Sequence, residues 1–199
     1  METTQKSLFE EKESIYPKDL RGFKVGIKEE KFKVYELLNQ YYKEDRILNV
    51  ISEDKLVWSE NKMSRFIESV ILDLPIPALF FSQTVENKNL IIDGQQRILT
   101  LLLFTGKIKE KNAYKKVNFR LTGLKGLPYL NGKNYQDLKE HIGLQAKIES
   151  KLLDIFLFQP SVKINIIYDI LKRINARQNS FEEQKIRNVI IRGKATNLL

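Results

Sequence analysis

The chain has 199 residues, enough for one domain with a substantial core. It has no cysteine and a single histidine, His141, which excludes disulfides, thiolate zinc sites, a cysteine nucleophile and a histidine-rich metal nuclease centre built from this chain alone. Lys plus Arg number 34 against 25 Asp plus Glu, and the net charge of +9 suits a polyanionic partner such as nucleic acid as well as it suits a merely Lys-rich surface.

Met1–Glu13 is polar and charged, without the apolar segment of a signal peptide. The densest apolar stretches, Ile98–Phe104 and Leu152–Phe158, are too short to span a bilayer. A soluble, cytoplasmic protein with no membrane partner is expected.

In chain order, residues 1–27 read as a loosely ordered arm and 28–199 as one domain. From Lys28 to Tyr42, Phe32, Tyr35, Leu38 and Tyr42 recur at helical spacing and predict an amphipathic helix. Ile47–Ile51 and Lys55–Trp58 look like short extended pieces, with Trp58 read as a core residue. Ser59 is placed to cap a helix over Lys62–Leu72, with Met63, Phe66, Ile67 and Val70 on its buried face. Leu74-Pro-Ile-Pro77 must end that helix. A strand over Ala78–Gln83, a turn at Glu86–Lys88 and a returning strand over Leu90–Ile92 lead into a helix Gln95–Phe104, closed by Gly106.

Residues 107–133 are irregular apart from strand-like Val117–Leu121. Tyr135–Ser150 reads as a helix weakened by Gly143, and Leu152–Phe158 as a strand that Pro160 breaks. Lys163–Ile174 fits a helix with Ile166, Ile167, Ile170, Leu171 and Ile174 on one face, while the alternation of Ile164 and Ile166 leaves a strand open. Ser180-Phe-Glu-Glu183 is a capping box that starts a helix running to Ile191. Strands and helices interleave in a single domain of the α+β class.

The chemistry concentrates in Asp93-Gly-Gln-Gln-Arg97. Gly94 permits a tight reversal with φ > 0 between an apolar strand and an apolar helix. Backbone N–H groups, two amide side chains and a guanidinium then meet at a helix N-terminus, a place suited to phosphate, with Asp93 beside it as a metal or water ligand. A structural corner would need the glycine alone. A second polar constellation, Arg173-Ile-Asn175 followed by Arg177 and Arg187-Asn188, has cations able to approach phosphate from another side; internal ion pairs and a helix cap are the plainer reading. The run Lys107, Lys109, Lys111, Lys115 and Lys116, with Tyr114, can follow a DNA backbone or simply be a solvated loop. His141 reads as a surface or packing residue. Glu68 and Asp73 are weaker candidates for a second carboxylate.

Ile91-Ile-Asp-Gly-Gln-Gln-Arg97 before an apolar helix, then Arg173-Ile-Asn175, a polar loop and Ile186-Arg-Asn188, resembles the ParB/sulfiredoxin-like domain at the N-terminus of GmrSD-type modification-dependent restriction enzymes. Lys55-Leu-Val-Trp58, the helix Met63–Asp73 and Leu74–Pro77 follow that family's order, so the resemblance covers roughly residues 30–199. It implies a ParB/sulfiredoxin-like mixed-sheet core with surrounding helices and a C-terminal helical segment. It also implies binding, and often hydrolysis, of a nucleoside triphosphate with a divalent cation such as Mg²⁺, coupled to recognition and cutting of foreign DNA by an anti-phage restriction system.

Carried onto this chain, Asp93, Gly94, Gln95, Gln96 and Arg97 are the first motif. Arg173 and Asn175 are the second, and Arg187 and Asn188 the third. Arg97 and the helix N-terminus would bind the triphosphate, Asp93 would orient the metal or the attacking water, and Gln95 or Gln96 would position the nucleophile or read the nucleotide. The chain departs from the family pattern where Lys55 stands for an arginine, because lysine makes no bidentate contact. The loop Ala176–Ser180 also lacks the glycines that relatives often carry there. Long relatives continue into a His-Asn-His nuclease half. Here that half is expected from a missing C-terminal domain or from a separate nuclease subunit. The alternative function is a non-catalytic module that senses nucleotide or DNA and recruits the nuclease.

Overall fold

Leu152–Phe158 alternates with both sets of side chains buried or half-buried toward its end, as in a strand covered on two faces, and it is an interior strand of the sheet. The computed structural model describes residues 14–42, 47–48, 57–107 and 119–174, with backbone alone at 42, 47 and 48. In chain order the elements are β1 (Ile27–Lys33), α1 (Val34–Tyr42), β2 (Ile47–Leu48), α2 (Glu60–Ile71), β3 (Leu79–Gln83), β4 (Asn89–Asp93), α3 (Gln95–Thr105), α4 (Leu144–Ser150), β5 (Leu152–Phe158) and α5 (Ile164–Ile174). The five strands form one mixed sheet in the order β1-β5-β3-β4-β2. β1–β5 and β3–β4 are antiparallel, and β3–β5 and β2–β4 are parallel. The α+β class expected from the sequence holds.

The two faces of the sheet bear separate cores. Leu79, Phe81, Ile91, Leu153, Ile155 and Leu157 face the larger one, under α1, α2, α3 and α4. Phe80, Phe158 and the half-buried Phe156 face the smaller one, beneath Ile167 and Leu171 of α5. The period-2 exchange of faces along β3 and β5 is the strand rule at work. It also decides the open reading at Ile164: α5 is a helix whose Ile166, Ile167 and Leu171 are buried.

The helix predicted over 28–42 starts only at Val34. Residues 27–33 instead form β1, paired from Ile27↔Phe158 to Lys33↔Leu152. Helical spacing put Phe32 on the core side, and a strand does so equally. What decides is β5, which is flanked by β3 on one edge and needs a backbone partner on the other. Glu and Lys dominate β1, so its outer edge is charged, as suits an edge strand. The helix predicted over 135–150 is split. A 3₁₀ turn covers Asp137–Glu140, and α4 starts after Gly143, whose φ of 81° no helix interior accepts. No strand appears in the described part of 117–121, where Phe119 and Leu121 are buried in coil.

The described part of the N-terminal arm, 14–26, reaches α5. The Tyr16 hydroxyl donates to Asp169 Oδ2 at 2.7 Å, and the ring of Tyr16 meets Phe23 edge-on. The helix predicted after Ser180 lies outside the described residues. Among those described, no helix is long and apolar enough to cross a membrane.

Candidate functional site

The Asp93–Arg97 segment joins β4, an interior strand of the sheet, to the first turn of α3. Phe81 pairs with Ile91 but Phe80 pairs with Asp93, so Ile92 is an extra residue on β4. A bulge of this kind bends the strand and re-aims the side chain that follows it, here Asp93. Gly94 then turns the chain at φ 97° and is the N-cap of α3. It brings no side-chain oxygen to the helix end, whereas its carbonyl accepts from Arg97 N at 3.0 Å and Ile98 N at 3.1 Å.

A Cβ at position 94 would lie 2.2 Å from Leu79 Cδ2 and 3.2 Å from Arg97 Nη2. Gly94 is thus required twice, by backbone conformation and by space. Gly94→Ala is expected to cost about 2–3 kcal/mol, combining left-handed strain with overpacking against Leu79. At about 2–4 °C per kcal/mol for a chain this long, thermal unfolding should show a fall of about 4–12 °C. An unchanged midpoint would contradict this geometry.

Arg97 is 9% exposed. Its Nη2 donates to Asp93 Oδ2 at 3.0 Å, and its Nη1 donates to the carbonyls of Pro77 and Ala78, the latter at 3.3 Å. Burial lowers its pKa from the usual arginine value and the Asp93 carboxylate opposes that shift, and the guanidinium stays charged throughout the accessible pH range. The prolines at 75 and 77 account for the acceptors: they end α2 and leave carbonyls outside any helix or ladder. Arg97, expected from the sequence to hold triphosphate, therefore has its fork on acceptors of its own chain and locks the entry of β3 to the exit of β4.

Asp93 keeps a 30% exposed side chain, and its Oδ1 accepts no bond among the described residues. Gln96 reaches the other way. Its Oε1 accepts the backbone N–H of Val57 at 3.0 Å and of Trp58 at 3.2 Å, tying the approach to α2 onto the first turn of α3. Its carbonyl takes the Thr100 hydroxyl at 2.7 Å, which satisfies a fully buried polar side chain. The tether to residues 57 and 58 is invisible in the sequence, since a glutamine's partner across 39 positions leaves no local pattern.

The other predicted residues are placed differently. Arg173, at the end of α5, donates to Asp169 at 2.7 Å and is mostly exposed, so its partner is its own helix and not Asp93. Asn175, Arg187 and Asn188 lie outside the described residues, as do Lys109, Lys111, Lys115 and Lys116. Lys107 stands beyond the C-terminus of α3, about 16 Å from its start at 1.5 Å per residue. Its ammonium lies 4.5 Å from the centre of the Tyr35 ring and 3.9 Å from Glu149. Glu68 supplies no second carboxylate to Asp93: it is buried and accepts the backbone N–H groups of Gly126 and Leu127 at 2.7 and 2.9 Å, which anchors that loop. Asp73 is taken by Lys151 at 2.6 Å. His141 packs its ring against Tyr129.

Among the described residues no group of three or more His, Asp or Glu could hold a metal ion unaided. A single carboxylate with one open oxygen nevertheless fits magnesium, which takes one or two carboxylates and fills its shell with substrate phosphates and water.

Neither a curated protein nor a solved structure matches the chain. Residues 55–192 match the family described as GmrSD restriction endonuclease, N-terminal domain, a span that contains the Asp93–Arg97 corner, the Gln96 tether and α5. The match covers most of the chain, which therefore belongs to the family of GmrSD restriction endonuclease N-terminal domains.

Proposed function

We propose that the domain binds a nucleoside triphosphate with a divalent cation at the β4–α3 corner and hydrolyses it to drive DNA targeting by a cytoplasmic anti-phage restriction system. A ParB/sulfiredoxin-like core belongs to the same reading. The observation that carries it is Asp93, whose Oδ2 is fixed by a buried arginine while Oδ1 accepts no bond among the described residues, at a helix N-terminus that has no side-chain cap. A carboxylate held in that way is oriented before any ligand arrives, which is the preorganisation that phosphoryl transfer demands.

In this mechanism Arg97 is a positioning residue: it holds Asp93 and the Pro77–Ala78 carbonyls and leaves the phosphates to the start of α3. Asp93 would hold the cation or orient the attacking water, and Gln95 sits on the first turn beside the phosphates. The cation, when bound, neutralises phosphate charge. Arg173, Asn175, Arg187 and Asn188 would supply a second wall, and the lysines from 107 to 116 a path for DNA. The nuclease activity itself would come from another domain or subunit.

The internal commitment of Arg97 also supports a second reading, a non-catalytic nucleotide sensor that recruits the nuclease. Phosphate release separates the two. Wild type and Asp93→Asn are incubated with each of the four NTPs and Mg²⁺, with and without DNA. Turnover by wild type, lowered about 10²–10³-fold by Asp93→Asn and abolished by EDTA, is expected of the enzyme. Binding with no turnover leaves the sensor, and absence of binding overturns both.

A further inference from the structure

We propose that Trp58 is the platform on which the nucleobase of the bound nucleotide stacks. This inference rests on the nucleotide reading above and adds to it where the base sits. The backbone of Trp58 is held at the first turn of α3 by Gln96, whose Oε1 accepts its N–H at 3.2 Å and that of Val57 at 3.0 Å. Gln96, on the first turn of α3, thus holds the backbone of an aromatic residue beside the proposed phosphate-binding turn.

The ring itself is half-buried and packs against the larger core, as its reading as a core residue expects. Phe66 meets it edge-on at 5.7 Å, and the ammonium of Lys62 lies 4.7 Å from the ring centre. Lys62 is exposed, on the third position of α2. A wholly structural tryptophan would have its faces closed by apolar side chains. Here one neighbour is a hydrated cation on a flexible four-carbon stem, which leaves a π-face at little cost when a base replaces it. On leaving, the ammonium remains close enough to meet an anionic ligand. Stacking of this kind tolerates every base, because each has a π-face, and favours purines through their larger area.

The plainer role for Trp58 is a hydrophobic staple: it precedes the cap Ser59 and so stands opposite Met63 at the start of α2. A staple holds α2 whether or not a nucleotide is present, and the experiment is built on that difference. Trp58 is the only tryptophan in the chain, so its fluorescence reports on this one ring.

Full-length protein with Mg²⁺ is titrated with ATP, GTP, CTP, UTP and inorganic triphosphate. Emission and calorimetry are followed together, with Trp58→Leu examined by calorimetry. The expected result is quenching of Trp58 by every NTP, most by the purines, and none by triphosphate. Triphosphate should bind about 5- to 150-fold more weakly than ATP, the range that base–aromatic stacking supplies. Trp58→Leu should bring ATP down to the affinity of triphosphate and leave triphosphate unchanged. If ATP and triphosphate bind alike, or Trp58→Leu weakens both equally, the platform is refuted and the phosphate site stands. If neither ligand binds the wild type, the nucleotide reading fails and the platform with it.

Discussion

A chain beginning at Lys55, where the family match starts, is expected not to fold. Removing residues 1–54 deletes β1 and with it the backbone partner of β5 along seven register pairs. It also deletes α1, whose Val34, Leu37, Leu38 and Tyr41 are between 0 and 7% exposed in the larger core. At about 1.5–3 kcal/mol for each buried side chain, the loss is about 6–12 kcal/mol, comparable with the whole stability of a domain at about 5–15 kcal/mol. Both ends of the loss fall on one element. β5 would keep β3 and gain a bare edge rich in Leu and Phe, which invites pairing between chains. Circular dichroism and thermal melts compare this shortened chain with one beginning at Ser14, which retains every contact named above. Cooperative unfolding of the 55–199 chain would overturn the expectation.

Arg97→Ala is expected to cost about 3–5 kcal/mol, because it removes the buried member of a partly buried ion pair and with it the donor to two carbonyls. The number has a local cause. The change strips Asp93 of its counter-charge and leaves the Pro77 and Ala78 carbonyls without their donor. In a chain of this size the melting temperature should fall by about 6–20 °C. Arg97→Lys should recover only part of this, because an ammonium cannot reach a carboxylate and two carbonyls with a planar fork. Denaturant titration measures the loss. An Arg97→Ala protein as stable as wild type would show that the guanidinium is no clasp, and would restore it as a candidate for direct phosphate contact.

The elements legible in the sequence are those whose signals are local. Ser59 capped α2 as expected, with its hydroxyl accepting Lys62 N, and Pro75 and Pro77 ended it. Leu152–Phe158 was readable because a short, largely apolar run broken by Pro160 is the length of a strand and too short for most helices. The reversal at Gly94 followed from the lone glycine between two apolar runs. The N-terminal helix was misplaced because Phe32 and Leu38 satisfy helix and strand alike, and the decisive partner, β5, is remote in sequence.

The site was legible as a location and less so as a set of roles. Arg97 looks like a ligand in a one-dimensional pattern because the carbonyls it donates to carry no residue identity. Gln96 stands out in the sequence for its chemistry, but its tether to Trp58 depends on tertiary contact alone. Glu68, buried on α2, gives its oxygens to a loop nearly sixty positions away.

The pairing of β1 with β5 has a consequence in time. Among the described strands, the first to leave the ribosome is matched to the last, Ile27 with Phe158 and Lys33 with Leu152. At 5–20 residues per second, β1 waits on the order of 10 s for its partner to be made. Closing that long loop is also entropically late, since nonlocal strands come together slowly. Through that interval β1 is a solitary strand. Its three Lys and two Glu, against two apolar residues, keep it soluble and disfavour pairing with another nascent copy. The charges that blunt the outer edge of the finished sheet thus serve first during synthesis, before there is a sheet to protect.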